Sequence, residues 1–315
     1  MAAVDGQTDG TAAIAIVDGE AALTLRAGPT EFTVFPELGL LGASLRHKER
    51  DYLDFHGGPD AARAGHTTGL PLLSPWANRL GSDSFRVAGK KVDLGDSPTV
   101  HRDANGLPIH GLMVGRGAWE FLSLRGQAGS ASAVARFDAA DDQRIMEVFP
   151  FKHTMTVAFT VSPGRLTVAT TLTATGKRAV PVSFGWHPYF RLPETDRDKI
   201  RIGIPARRRL VLDERNLPTG EEVAEPAEIL KLAGRTYDDG YRLGRDRQLL
   251  LFGGRRRLTI VLDRGYPFAQ VYAPEGEQYV ALEPMTASTN ALVSGGTDMV
   301  EPGKSYTARF AISLT

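Results

Sequence analysis

Apolar residues in this chain recur at every second position far more often than at every third or fourth. In Leu166-Thr167-Val168-Ala169-Thr170-Thr171-Leu172-Thr173, Leu166, Val168 and Leu172 fall on one face, opposite Thr167, Thr171 and Thr173. Leu258, Ile260 and Leu262 likewise alternate with Thr259, Val261 and Asp263. Successive side chains of an extended segment point to opposite faces, so this period describes half-buried antiparallel strands. Similar runs recur at residues 14–17, 22–26, 31–35, 132–137, 154–161, 208–212, 268–273 and 306–314, separated by clusters of Gly, Pro, Asp and Asn. A helical pattern stands out once, Ala227 to Ala233 after Pro226 and before Gly234, and predicts one short helix. The expectation is one large all-β domain over residues 1–315.

Composition excludes several functions. Lys+Arg and Asp+Glu are both 37, and a formal net charge of zero argues against nucleic acid or a membrane surface as the main partner. Cysteine is absent, so no disulfide, thiolate nucleophile or cysteine-ligated metal is available. The seven histidines show no metal-ligand spacing, and no glycine-rich stretch has the setting of a phosphate loop; neither a metal nor a cofactor is expected. Met1 to Gly19 carries Asp5, Asp9 and Asp18 and only a short apolar run, which predicts a cytoplasmic protein without a signal peptide or membrane span. The runs Arg207-Arg208-Arg209 and Arg255-Arg256-Arg257 read as solvated strand ends or edge protection.

Two dipeptides carry the chemistry. His187-Pro188 and Glu283-Pro284 each follow an apolar, strand-like run. Proline has no N–H for the ladder and biases the preceding residue toward extended backbone, so both side chains should stand on rigid chain where pairing stops. An imidazole that titrates near neutrality and a carboxylate suit acid–base catalysis without a cofactor.

Further polar residues accompany this pair. Asn78 and Arg79 offer donors suited to vicinal hydroxyls beside Trp76, or serve to buttress a loop. His110 precedes Gly111, which permits close backbone approach; a lone loop histidine is equally a satisfied structural residue. Aromatics flank His187 on both sides and suit the apolar faces of a sugar. Tyr237-Asp238-Asp239-Gly240-Tyr241 places two acids before a glycine, as turns also do. Gln270 shares a strand face with Phe268 and Tyr272, as a hydroxyl-binding amide or as a solvated edge residue.

Together, in this order along most of the chain, these segments resemble the aldose 1-epimerase (mutarotase) family. Asn78-Arg79-Leu80 is similar to its Asn-Arg-Ile motif, His110-Gly111 to its first catalytic His-Gly, and His187-Pro188-Tyr189-Phe190 to its His-Pro-Tyr-Phe signature. Asp238 with Tyr241, Gln270 before Val271-Tyr272, and Glu283-Pro284 complete the series. The resemblance implies a β-supersandwich of large twisted antiparallel sheets, and interconversion of the α and β anomers of a free aldose. Its implied roles are Glu283 as base on the O1 hydroxyl, His187 as acid toward the ring oxygen, and His110 stabilising charge nearby. Asn78, Arg79, Asp238 and Gln270 would hold the remaining hydroxyls, with Asp238 or Asp239 facing the sugar. The chain departs from the family at Leu73-Ser74-Pro75-Trp76, where a Gly-Arg is frequent, and at Trp186, where a small residue is usual. The expected partner is a small monosaccharide. The competing readings are a hexose-6-phosphate 1-epimerase using Arg191 or the Arg207 run, a non-catalytic carbohydrate-binding protein, and a retaining glycosidase pairing Glu283 with Asp238.

Overall fold

Strand alternation dictates the architecture. In the computed structural model, which describes residues 10–315, the chain forms 26 strands and three short α-helices. Asp5 and Asp9, on which the targeting expectation partly rested, lie outside the described residues. No helix among the described residues is long and apolar enough to cross a membrane.

A nine-stranded antiparallel sheet contains the two alternating segments described first, around Leu166–Thr173 and Leu258–Asp263. Arg256–Arg264, Ser305–Leu314, Arg165–Ala174 and His153–Ser162 are consecutive neighbours at its centre. Leu166, Val168, Leu172, Leu258, Ile260 and Leu262 are all buried, while Thr167, Thr171 and Thr173 remain half-exposed on the other face. Cross-strand hydroxyl pairs such as Thr171 and Thr307, 2.9 Å apart, satisfy that wet face.

Two further sheets cover the buried face. One has five strands between Thr11 and Asp51. The other has eight, ordered Pro218–Glu225, Arg207–Leu212, Tyr237–Leu243, Phe268–Ala273, Val280–Met285, Gly185–Trp186 and Leu72–Leu73, with Tyr189–Phe190 also paired to Val280–Met285. Phe159 of the nine-stranded sheet is where all three meet. Its ring centroid lies 5.2 Å from that of Phe32 in the five-stranded sheet and 6.1 Å from that of Trp186 in the eight-stranded sheet. Single bridges from Gly42 to Leu70 and from Leu53 to Phe190 tie the covering sheets together. The result is an all-β supersandwich. Trp186, the unusual residue before His187, faces this core, and its Nε1–H donates to Thr170 Oγ1 at 3.0 Å. The indole therefore stands on the opposite face from its neighbour.

Three expectations are corrected. Residues 227–233 are not helical: Glu228–Lys231 is an edge strand paired with Arg201–Ile204. The adjacent strand Arg201–Ile204 supplies ladder partners for this segment, and a short apolar run suits an edge strand as readily as a single helical turn. The α-helices that do form, Gly58–Arg63, Gln143–Val148 and Ala291–Ser294, are short connectors; Asp142 caps the second by accepting from the Arg144 N–H at 3.0 Å. Arg207 is not a solvated strand end. Its buried guanidinium binds Glu228 and, at 2.8 Å, Glu225. Nor does pairing stop at Glu283: Pro284 lies inside Val280–Met285, opposite Ala269.

The three-sheet junction yields a stability prediction. Phe159→Ala should cost about 3–5 kcal/mol, the usual price of emptying a buried phenyl site. A urea titration with unchanged slope and a lowered midpoint checks it, and a loss under about 1 kcal/mol would show that the junction is not tightly packed.

Candidate active site

Strand register assembles the site. The outer face of the eight-stranded sheet presents three successive rows of side chains. Leu73, Gly185, Met285 and Phe268 form an apolar row, and Leu73, Met285 and Phe268 pack with Ala77 and Val114. One step along, the pairs Gly185–Met285 and Tyr189–Ala281 bracket His187 opposite Glu283. Glu283 pairs in turn with Gln270, and Gln270 with Gly240. The third row runs Tyr189, Ala281, Tyr272, Asp238. The intervening residues Trp186, Leu282 and Val271 are fully buried in the core. Alternation therefore lifts the ionisable row out of the core as a unit.

Two loops wall this floor and clasp each other. His110 N–H donates to Asn78 O at 3.1 Å, Leu80 N–H to Pro108 O at 2.8 Å and Leu112 N–H to Ser74 O at 2.7 Å. Asn78 and His110 both hold left-handed backbone, with φ of 58° and 62°, a region uncommon for residues with a Cβ and frequent at functional sites. At Gly111, φ is 74° and an added Cβ would come within 2.3 Å of Ser74 O, so the turn that aims His110 requires glycine.

All seven residues singled out from the sequence, Asn78, Arg79, His110, His187, Asp238, Gln270 and Glu283, line one cavity of about 180 Å³. Thr67, Ile109, Tyr189 and Tyr272 join them. Asp238 faces the cavity, whereas Asp239 points to the other side of its strand, toward Arg207 and Arg209. Tyr241 is buried beneath the Arg207 guanidinium, 5.0 Å from its ring centroid. Trp76, expected beside Asn78 and Arg79, is fully buried in the core. The aromatic walls are instead Tyr189 and Tyr272, from the aromatic flank of His187 and the strand face of Gln270 that the sequence offered to a sugar. Thr67 carried no sequence signal; it reaches the site across 122 residues through a 2.5 Å hydroxyl contact with Tyr189.

The polar groups form a fixed network. His187 Nε2 lies 3.3 Å from Glu283 Oε1 and 3.5 Å from the Tyr189 hydroxyl. The Tyr189 ring stacks on the imidazole at 4.4 Å, and His110 stands edge-on to it at 5.2 Å. Gln270 Nε2 donates to Asp238 Oδ1 at 2.7 Å. Arg79 Nε donates to Asp103 Oδ2 at 2.8 Å, and its Nη2 lies 3.5 Å from Asp238 Oδ2. Asn78 Oδ1 accepts from the Arg79 backbone N–H at 2.8 Å. Three buried atoms, Glu283 Oε2, His187 Nδ1 and His110 Nδ1, have no partner within the protein. Buried polar atoms are normally paired, so these mark hydrogen-bonding capacity held for something else.

Burial governs protonation here. It pushes the His187 imidazole down to about 3, with His56 adding to the effect. His110 is also held well below its ordinary value by burial, and then by His187 and Arg79. The Glu283 carboxyl is raised well above its ordinary value, first by burial and then by the Asp238 charge, against the opposing pull of Arg79. Desolvation disfavours each charged form, so the favoured state of the pair is neutral imidazole with protonated carboxyl.

That raised carboxyl has a consequence for stability. A group whose pKa rises on folding contributes stability fully below its unfolded value of 4.5 and loses it as pH climbs through the folded value. Glu283→Gln removes the titration while keeping the shape. The variant should match the parent below about pH 4 and gain on it toward pH 8, by about 1.4 kcal/mol per unit of upward shift. Melting temperatures across pH test this; a difference independent of pH would refute the assignment.

The comparisons with known proteins agree with this architecture. The family model described as aldose 1-epimerase matches residues 43–313. No curated protein matches the sequence. A galactose mutarotase-like protein from Clostridium acetobutylicum superposes with a TM-score of 0.86 at 19% identity, over 98% of this chain and 99% of that one. A galactose 1-epimerase from Lactobacillus acidophilus NCFM gives 0.76 at 12% identity, over 96% of each chain. A GalM/aldose epimerase homologue from C. elegans gives 0.72 at 18% identity, over 91% of this chain and 95% of that one. At these identities the structural likenesses speak to the fold, while the family match spans most of the sequence: the chain belongs to the aldose 1-epimerase family.

Proposed function

We propose that the protein is an aldose 1-epimerase that interconverts the α and β anomers of a free, unphosphorylated aldose. The observation that carries this is the buried His187–Glu283 pair, 3.3 Å apart, on the floor of a small cavity walled by hydroxyl-binding groups. Opening a cyclic hemiacetal takes a proton from O1 and gives one to the ring oxygen. Both oxygens are bonded to C1, so acid and base must stand side by side, as this pair does. Residues 1–315 are read as one domain, supported by a single buried cluster that draws on residues from Leu23 to Leu314.

Glu283 acts as base and His187 as acid. The reactive form carries the proton on His187, and hydrogen bonds from sugar hydroxyls to the carboxylate offset the cost of that buried ion pair. Glu283 then takes the O1 proton while His187 Nε2–H protonates the ring oxygen, and the C1–O5 bond breaks. This leaves the open aldehyde beside a neutral imidazole and a protonated carboxyl, the state that burial favours. Rotation about C1–C2 presents the other carbonyl face. Reclosure reverses both transfers: Glu283 returns a proton to the carbonyl oxygen and His187 takes the proton of the attacking hydroxyl. His110 stabilises charge near the ring oxygen. Asn78, Arg79, Asp238 and Gln270 hold the other hydroxyls, fixing C1 over the pair.

The charges support a neutral sugar over a phosphorylated one. Among the described residues that line the cavity, Arg79 is the sole guanidinium or ammonium group, and it is engaged by Asp103 and approached by Asp238. Arg191 donates to Asp51 O, and Arg207 lies behind the site with Glu225 and Glu228. Neither serves the cavity as a phosphate ligand. Glu283 touches an imidazole rather than a second carboxylate, which favours proton exchange over double-carboxylate hydrolysis.

Polarimetry on freshly dissolved α-glucose and α-galactose should show faster approach to equilibrium with the protein than without it. Glu283→Gln and His187→Gln should each lower kcat about 10²–10⁴-fold while sparing sugar affinity measured by calorimetry. Parallel loss of both would reassign the residues to binding or folding.

The pH profile follows from the signs above. The pair holds its single transferable proton from the lowered His187 value, about 3, up to the raised Glu283 value. Blank-corrected kcat/KM should therefore persist as pH falls through 6.5, the ordinary histidine value, and hold to about pH 5. A half-loss near 6.5 would rule this pairing out.

A further inference from the structure

A second cavity, of about 600 Å³, shares no residue with the one that holds His187 and Glu283. Three segments converge on it. The hairpin of Ser84–Val87 and Lys90–Asp93 turns through Ala88 and Gly89, at φ of 47° and 70°, and brings Lys90 to the rim. The helix Gln143–Val148 and the chain leaving it supply Met146, Pro150, Phe151 and Lys152. The loop after Arg165–Ala174 supplies Lys177 and Arg178. Lys152 O accepts from the Thr175 and Gly176 N–H groups at 3.1 and 3.3 Å, which pins this loop to its neighbour.

Charge is unevenly distributed here. Lys90, Lys152, Lys177 and Arg178 all line the cavity, and no Asp or Glu does. Among the described residues none of the four cations forms an ion pair or a side-chain hydrogen bond. Cations close by in sequence are neutralised: Lys91 lies 2.7 Å from Asp93, and Arg144 lies 3.0 Å from Asp142. Glu147, beside Met146, is engaged by Gln143 Nε2 at 2.9 Å. Four like charges around one hollow repel one another, and an anion placed between them removes that cost.

The shape narrows the class of anion. Phe151 is 1% exposed and its ring lies 4.7 Å from that of Phe149, so it makes a firm apolar floor beside the half-buried Met146 and Pro150. Apolar groups sunk below a charged rim suit a ligand that enters the hollow, whereas a membrane or a nucleic-acid backbone is met by cations on an open surface. The volume falls in the ordinary range of small-molecule sites. Four spread cations also outnumber the charges of a single phosphate group, about two at neutral pH.

We propose that this hollow binds an organic polyphosphate of the nucleoside di- or triphosphate kind, its phosphates on the four cations and its apolar body against Met146, Pro150 and Phe151. Calorimetric titration of the full chain at low salt with ADP, ATP, pyrophosphate and inorganic phosphate tests this. ADP and ATP should bind more tightly than pyrophosphate, and at least about tenfold more tightly than inorganic phosphate. Lys177→Ala combined with Arg178→Ala removes two exposed side chains, and should weaken ADP about tenfold with an unchanged melting temperature. Met146→Ala should weaken ADP while leaving pyrophosphate within about twofold, since only the nucleoside reaches the floor. Arg79→Ala should leave ADP binding unchanged; a loss there would place the anion beside His187 and overturn the site. Nucleotides no tighter than pyrophosphate or phosphate, no nucleotide binding at about 1 mM, or undiminished binding by the double variant would each overturn it as well.

Discussion

The site depends on the parity of one strand pairing. Val280–Met285 runs antiparallel to the chain from Gly185 to Phe190 in a register that sets His187 opposite Glu283. The same register sends Trp186 and Leu282 into the core, where Trp186 meets Phe159 and Phe310 of the nine-stranded sheet. A slip of one residue would bury both ionisable groups in that core and expose the indole. Burial of Trp186 alone opposes such a slip by several kcal/mol, through area, packing and the Nε1–H bond to Thr170. The His187–Glu283 spacing is thus held by apolar packing on the far face of the sheet.

The pair's electrostatics follow from the same placement. Glu283 and His187 stand in the interior of a strand row beneath two loops, and loss of water disfavours the charged form of each. Ion-pair formation within the site therefore costs energy, which the proposed ring opening releases as it consumes the pair. Asp238 and Arg79 act on Glu283 with opposite signs, and they also contact each other at 3.5 Å. Asp238, Arg79 and Glu283 are consequently one electrostatic unit, so changing Asp238 also shifts the Glu283 carboxyl.

Much of this was legible in the sequence, for a physical reason: strands write their orientation into alternate residues. The period of two identified five strands of the nine-stranded sheet, at residues 132–137, 154–161, 166–173, 258–263 and 306–314, and the burial of Leu166, Val168 and Leu172. Gln270 and Glu283 were readable as outward-facing once their neighbours Val271 and Leu282 were read as core. The Glu283-Pro284 dipeptide was informative about the site but misleading about pairing. Pro284 lies at a ladder position opposite Ala269, and the strand continues to Met285. Residues 227–233 misled because a short apolar run does not distinguish an edge strand from a single helical turn. Trp76 misled because a neighbour in sequence was taken for a neighbour in the cavity.

What the sequence could not supply is concentrated in the loops and across rows. Thr67 lies in a segment without a motif and meets Tyr189 through a hydroxyl contact that no local pattern encodes. The positive φ at Asn78 and His110 is likewise set by hydrogen bonds between two loops, with Gly111 as its only sequence trace. This division separates the two halves of the function. In the proposed function the acid–base pair, His187 and Glu283, sits on a strand pairing whose geometry the core dictates. The proposed hydroxyl ligands Asn78 and Arg79, with Thr67, sit on connections that can change length or residue without disturbing that core. On that proposal the fold keeps one proton-transfer geometry while its loops set which sugar is presented to it.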